Sequence, residues 1–227
     1  MPNSIAYIDG FNFYYGAVKN TSYKWLNFNS LLQRMFPTFN LVETKYFTAH
    51  VSGRWFDPQA PLRQDIYWRA LRTLPNFSII EGSFLTKPKS MAVARASKYP
   101  LRATLLSKLC PDMKYSPNGV LLVRVLKTEE KGSDVNLAAH LINDAHRNRF
   151  DEAIVVSGDS DLCEAVRIVT ADIGKTVIVA NPQRRTSREL SGVATHYRHV
   201  HESELKRSLF PNSLTDAHGI ITKPSSW

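Results

Sequence analysis

Ala153-Ile154-Val155-Val156-Ser157-Gly158-Asp159-Ser160-Asp161 is an apolar run that stops at a Ser-Gly-Asp-Ser-Asp turn. From Leu162 the pattern becomes helical, so the turn is predicted to join a buried strand to a helix N-terminus. Ligands of open α/β sheets bind outside the carboxyl ends of the strands. Two carboxylates at such an end can hold a hard divalent cation, which prefers oxygen ligands. The same residues also suit a plainer role. Asp159 or Asp161 can cap the following helix, where negative charge is favoured. The other strand ends decide between these readings.

Upstream, Ser4-Ile5-Ala6-Tyr7-Ile8 is a second short apolar strand, ending at Asp9-Gly10-Phe11-Asn12. Gly10 permits a tight turn, and Asn12 can donate to or accept from a nearby polar group. Phe13, Tyr14 and Tyr15 follow, either as packing or as aromatic faces for bases. A short helix is predicted over Phe28 to Phe36, capped by Asn27 or Asn29. Strands are predicted over Leu41 to Thr48 and Phe77 to Phe84, with a helix over Pro58 to Leu74 that turns Leu62, Ile66, Ala70 and Leu71 inward. Residues 86–119 then change character, with Lys87, Lys89, Arg95, Lys98, Arg102, Lys108 and Lys114 and little periodicity. This stretch reads as a basic insertion, suited either to a polyanion or to solvent.

Val120 to Leu126 is a strong strand pattern, and Lys131-Gly132-Ser133-Asp134 opens a helix to about Phe150. Ser133 is the expected N-cap, with Val135, Ala138, Ala139, Ile142 and Ala145 on the inward face. Beyond the opening stretch come a helix to Asp172, a strand over Lys175 to Ala180, a basic turn with Arg184 and Arg185, and a helix with capping-box spacing from Thr186 to Glu189. A last strand is expected near Tyr197 and a last helix from His201 to Leu209. Alternating strands and helices imply an α/β fold with a mostly parallel central sheet. Right-handed crossovers then bring the strand ends to one edge. Asp9, Asp134, Asp159 and Asp161 all fall at or just past such ends. Four acids there repel one another when unpaired, and a divalent ion relieves that cost.

The totals agree with this picture. The chain has 227 residues and a formal charge of +9, which favours a polyanionic partner, nucleic acid first. Its two cysteines, Cys110 and Cys163, lack CxxC spacing, which argues against a zinc site or a disulfide scaffold and fits a reducing cytoplasm. No signal-peptide pattern opens the chain, and no run is long enough to span a membrane.

Three motifs carry a family resemblance. Asp9-Gly10-Phe11-Asn12, Lys131-Gly132-Ser133-Asp134-Val135-Asn136-Leu137-Ala138 and Ser157-Gly158-Asp159-Ser160-Asp161 resemble, in order, those of NYN domains. These are PIN-like ribonuclease domains, here of the LabA-like branch. The resemblance covers about residues 4–200 and implies a PIN-like, Rossmannoid three-layer sandwich. It implies one domain over 1–210, with the basic insertion at about 86–119 and a C-terminal tail at 211–227. It also implies an endoribonuclease dependent on Mg²⁺ or Mn²⁺, held by Asp9, Asp134, Asp159 and Asp161. Asn12 and Ser157 match polar positions beside that site. One departure is His140, where many NYN domains carry Asp.

The expected chemistry is metal-assisted phosphodiester hydrolysis. Lys131, Arg184, Arg185 and the insertion would hold the RNA backbone without reading sequence. RNA as partner rests on the resemblance, since nothing in the residues selects a 2′-hydroxyl. The competing expectations are a related nuclease acting on DNA and a non-catalytic RNA-binding module. An aspartyl phosphatase fits poorly, because Gly10 and Phe11 follow Asp9 in place of an Asp-x-Asp pair. No Walker motif occurs. The oligomeric state, a homodimer included, and the number of ions stay open.

Overall fold

Strand β1 (Asn3–Asp9) is buried on both faces, and its alternation divides the core. Ala6 and Ile8 point into one apolar cluster, Ile5 and Tyr7 into the other. Strands β7 (Glu152–Val156) and β8 (Thr176–Asn181) do the same. Ile154, Val156, Ile178 and Ala180 join the first cluster, while Ala153, Val155, Val177 and Val179 join the second. Continuous apolar runs of this kind suit parallel strands covered by helices on both sides. With β2 (Asn40–Thr48), β3 (Phe77–Glu81) and β9 (His196–His199), they form a six-stranded parallel sheet in the order β3-β2-β1-β7-β8-β9.

The computed structural model describes residues 2–93, 108, 114–115, 117 and 121–227. On the first face lie α1 (Gly10–Phe13) with its π-helical continuation Tyr14–Val18, α2 (Phe28–Met35) and α3 (Ala60–Leu71). On the second lie α4 (Ser133–His146), α5 (Cys163–Arg167) and α6 (Arg188–Val193). A short α7 (Glu202–Lys206) adds Leu205 to the first cluster. This is the expected α/β three-layer architecture.

Several local expectations change. Asn27 caps α2 through Ser30 N at 2.9 Å, as one of the two predicted caps. In α3, however, Leu62 is 56% exposed, and the buried face is Tyr67, Trp68, Ala70 and Leu71. Helix α4 begins one residue earlier than predicted. Gly132, at φ +100°, is its N-cap, so Ser133 already lies inside the helix. Val135 is 72% exposed, while Leu137 and Leu141 supply the buried stripe beside Ala145. The cap of α6 is Ser187, whose Oγ accepts from Leu190 N, rather than Thr186.

The strand predicted over Val120 to Leu126 exists as β6 (Leu121–Lys131), outside the parallel sheet. It pairs in a second sheet of order β4-β6-β5, with β4 (Ser83–Ala92) and β5 (Lys114–Tyr115). Leu126 is 75% exposed, a value incompatible with a strand covered on both faces. Phe84–Glu130 forms a compact unit of its own, and Met1–Ser83 with Lys131–Trp227 forms the other. The basic insertion expected at about 86–119 falls in the former unit, and most of it, including Arg95, Lys98 and Arg102, lies outside the described residues.

Residues 211–227, which carry no clear periodicity, fold as a hairpin of β10 (Ser213–Asp216) and β11 (Gly219–Thr222). Ile221 is buried in the first cluster, and Trp227 packs against Trp25 and Tyr67. Trp25 Nε1 donates to Pro211 O at 2.8 Å, and Arg69 grips Asp216 through two hydrogen bonds. The hairpin is thus part of the core. Ile221→Ala is expected to cost about 2–4 kcal/mol, because it leaves a cavity under the hairpin. Urea unfolding measures this, and a change within experimental error would show that the hairpin contributes nothing to stability.

Candidate metal centre

The parallel pairing of β1 with β7 sets Ile8 opposite Val156, so Asp9 and Ser157 leave the sheet side by side. Asp9 is 3% exposed and caps α1, with Oδ1 accepting from Asn12 N at 2.9 Å. Its Oδ2 accepts from Ser157 Oγ at 2.9 Å. Ser157 Oγ in turn accepts from Asp159 N at 3.1 Å, and Asn12 Oδ1 accepts from Gly158 N at 3.0 Å. The two turns are therefore laced together through side chains that each satisfy a backbone or carboxylate partner.

Ligand oxygens of Asp9, Asp134 and Asp159 lie within 4.8 Å of one another. Asp134 reaches this point from the first turn of α4, where the helix dipole favours negative charge. Asp159 both joins the cluster and caps the next turn, accepting from Asp161 N at 3.1 Å. The capping and clustering readings are thus true of one residue at once. Asp161 does not belong to the group of three. It is exposed, on the solvent side of the same turn.

Burial is the main reason that Asp9 is pushed up to about 7; hydrogen bonds from Asn12 and Ser157 oppose the rise, and the Asp134 and Asp159 charges add to it. A divalent cation is the natural counter-charge. Three carboxylates, one of them desolvated, form an all-oxygen donor set that fits a hard ion such as Mg²⁺ or Mn²⁺.

Ser157 lies beside the acids as the resemblance implies, but it is fully buried, so it positions Asp9 and the Asp159 backbone and offers no surface to a substrate. Asn12 is half-buried and holds the Gly158 turn. Lys131, Arg184 and Arg185 are exposed. His140 packs edge-on against Phe47, and burial followed by the Lys45 charge holds it below its usual value. The ring is half-buried in that contact.

Asn181, at the end of β8, is a residue the sequence reading passes over. Its Nδ2 donates to Arg185 O at 2.8 Å and to Tyr197 Oη at 2.7 Å, and its Oδ1 accepts from Gln183 N at 2.8 Å. It shapes the basic turn and crowds Gly158, where an added Cβ would meet Asn181 Oδ1 at 2.2 Å. The available signal was a polar residue closing an apolar strand just before a proline.

A model of the NYN domain matches residues 4–201. The chain belongs to the NYN domain family. That family is one of PIN-like nucleases, which agrees with acids gathered at the carboxyl edge of a parallel sheet. The NYN chain is also 28% identical to 6-hydroxy-3-succinoylpyridine 3-monooxygenase HspA of Pseudomonas putida (strain DSM 28022 / S16), over 97% of this chain and 74% of that protein. Among solved structures, a protein of unknown function from Vibrio parahaemolyticus RIMD 2210633 aligns with a TM-score of 0.53 and 19% identity. The alignment covers 92% of this chain and 96% of that one, and supports the fold.

The raised Asp9 carboxyl gives a stability prediction for metal-free protein. Between the ordinary value of 3.8 and about 7, the folded chain binds a proton that the unfolded chain does not. Stability from this group is therefore present at low pH and lost as pH rises through about 7. Asp9→Asn removes the charge, so in chelator it is expected to melt a few degrees higher than the parent above neutral pH, with the gain shrinking toward pH 4. Parallel melting curves at every pH would refute the strained-acid assignment.

Proposed function

We propose that the chain is an endoribonuclease that hydrolyses RNA phosphodiester bonds with Mg²⁺ or Mn²⁺ at Asp9, Asp134 and Asp159. The observation that carries this reading is the convergence of these three carboxylates, one of them buried, at the carboxyl edge of the sheet. When bound, such an ion supplies Lewis acidity and neutralises charge on the scissile phosphate. Asp9 and Asp159 are held by Ser157 and by their own turns, so little reorganisation accompanies binding. Asp161, exposed beside Asp159, is suited to take the proton from the attacking water. Water adds at phosphorus, one P–O ester bond breaks, and the leaving oxygen gains a proton. Lys131, Arg184 and Arg185 contact phosphates without reading bases. The preference for RNA over DNA rests on the family.

A second reading comes from the relative in Pseudomonas putida, whose similarity runs along 97% of this chain. It would make the protein an oxygenase of a hydroxylated pyridine. Incubation with 6-hydroxy-3-succinoylpyridine, dioxygen and a two-electron donor tests it by product analysis.

Asp159→Asn is nearly isosteric, and Asn caps about as well as Asp. It removes one anionic ligand, so single-turnover cleavage of a labelled RNA with Mn²⁺ is expected to fall by more than about 100-fold. The melting temperature without metal should change little. Asp172→Asn, at the exposed far end of the same helical stretch, is the control and should retain activity. Full activity in Asp159→Asn would overturn the catalytic assignment. Inactive parent protein across a broad panel of RNA and DNA would favour a binding module.

A further inference from the structure

Two pairs of exposed aromatic rings stand at the carboxyl edge of the sheet, where the acids also lie. Trp55 and Phe56 are the tip of a tight turn closed by Arg54 N to Asp57 O at 3.2 Å and Asp57 N to Arg54 O at 2.9 Å. Their rings meet edge to face at 5.4 Å, yet Trp55 is 92% exposed and Phe56 62%. Arg63 from α3 grips Asp57 through both carboxylate oxygens at 2.6 Å, so the turn is anchored rather than loose. Two large rings held in water by a built turn are costly to leave uncovered.

The second pair is Tyr14 and Tyr15, at 5.2 Å, in the helical segment that Asp9 opens. Tyr15 is 63% exposed, with Lys19 Nζ 4.8 Å from its ring centroid. Burial, then the neighbouring Tyr15 and the Asp57 charge, raise the Tyr14 hydroxyl while Arg63 opposes the rise, so Tyr14 is within electrostatic range of the ion pair at the base of the Trp55 turn. In the same segment, Gly16 lies close to Pro182 and Gln183, the start of the basic turn that carries Arg184 and Arg185. Exposed rings and cations therefore occupy neighbouring segments, one of which is the helical segment that Asp9 opens.

We infer that these segments form a base-stacking track for single-stranded RNA, with Trp55–Phe56 and Tyr15 receiving unpaired bases and Arg54, Lys19 and the 184–185 turn tracking the phosphates. The inference rests on the nuclease reading and narrows its substrate to unpaired strands. Aromatic faces accept any base, and neighbouring cations supply sequence-independent affinity. A duplex hides its base faces inside the stack, so it can use only the cations. The overall charge of +9 complements this occupant. A protein partner for an apolar knob would not require the neighbouring cations.

The test is binding in chelator, so that it does not depend on cleavage. Of the four tryptophans, Trp25 and Trp68 are 0% and 1% exposed and Trp227 is half-buried. Quenching of the parent's intrinsic fluorescence by a short oligo(U) therefore reports mainly on Trp55, and the anisotropy of an end-labelled oligo(U) measures affinity in the parent and in variants that lack that ring alike. Trp55→Ala with Phe56→Ala is expected to weaken oligo(U) binding by about 10- to 100-fold, with the salt dependence unchanged. Trp55→Tyr should restore most of the affinity. Arg54→Ala with Lys19→Ala should instead flatten the salt dependence. Binding of a duplex of equal length should be indifferent to the aromatic changes. Unchanged oligo(U) affinity in the double alanine variant would overturn the proposal. So would a variant that binds RNA normally but sediments as a smaller species, since the knob would then join two copies of this chain. Intact stacking with no cleavage by the parent protein would uphold the track and defeat the nuclease reading.

Discussion

The structure depends on the parallel pairing of β1 with β7. Its register sets Ile8 beside Val156, and the next residues on each strand are Asp9 and Ser157. A slip of one residue would exchange the two faces of a strand that is buried on both. Ile5 and Tyr7 would then compete for the space of Ala6 and Ile8, in cores that tolerate little change of volume. The apolar packing thus locates a hydroxyl against a carboxylate to within a hydrogen bond. The site is a consequence of core packing carried one residue beyond the sheet.

A second constraint fixes the remaining acid. Asp144, near the C-terminal end of α4, is buried and receives Lys45 Nζ from β2 and Tyr7 Oη from β1, the latter at 2.7 Å. Burial alone would raise this carboxyl, but the Lys45 and Tyr7 hydrogen bonds and the Lys45 and Arg149 charges leave it below the ordinary range. Arg149 also bridges Asp144 and Glu43, at 3.1 Å and 3.0 Å. Such a network adds less to net stability than its Coulomb energy suggests, because each charge was desolvated to form it. Its geometric effect is clear, however. Pinning Asp144 to two adjacent strands sets the rotation of α4, and that rotation decides whether Asp134 at the other end meets Asp9.

The strands that build the site were legible because burial on both faces leaves a distinctive record, an unbroken apolar run ended by Asp or Ser-Gly-Asp. Asp9 and Asp159 were legible for the same reason, since each interrupts the pattern where such a strand stops, whereas Asp134 opens α4 behind a strand of the other sheet. What escaped was information that periodicity does not carry. Val120 to Leu126 has strand composition, but nothing in it states which sheet it joins. Ser133 looks like a cap, whereas Gly132 takes the cap position with a left-handed backbone that only the three-dimensional path requires. Ser157 read as a polar group for a ligand, yet its partners lie inside the protein. Leu62 and Val135 obey helical spacing and remain exposed, because spacing defines a stripe without saying how wide the covering layer is.

The surroundings of the acids bear on the kind of molecule they meet. Asp9 is sealed, while Asp134 and Asp159 are half-exposed, so the cluster opens outward from a rigid floor. Tyr15, Trp55, Arg184 and Arg185, on segments that follow β1, β2 and β8, are all solvent-exposed. A small aromatic substrate is usually enclosed, with most of its surface removed from water. A polymer needs the opposite, an open edge that lets the chain enter and leave on both sides of the reacting bond. The hollow lined by Ile5, Val42, Glu43, Phe77 and Arg149 lies at the other end of the strands, away from the carboxylates. Acids that open outward from a rigid floor therefore suit an extended chain better than an enclosed ring.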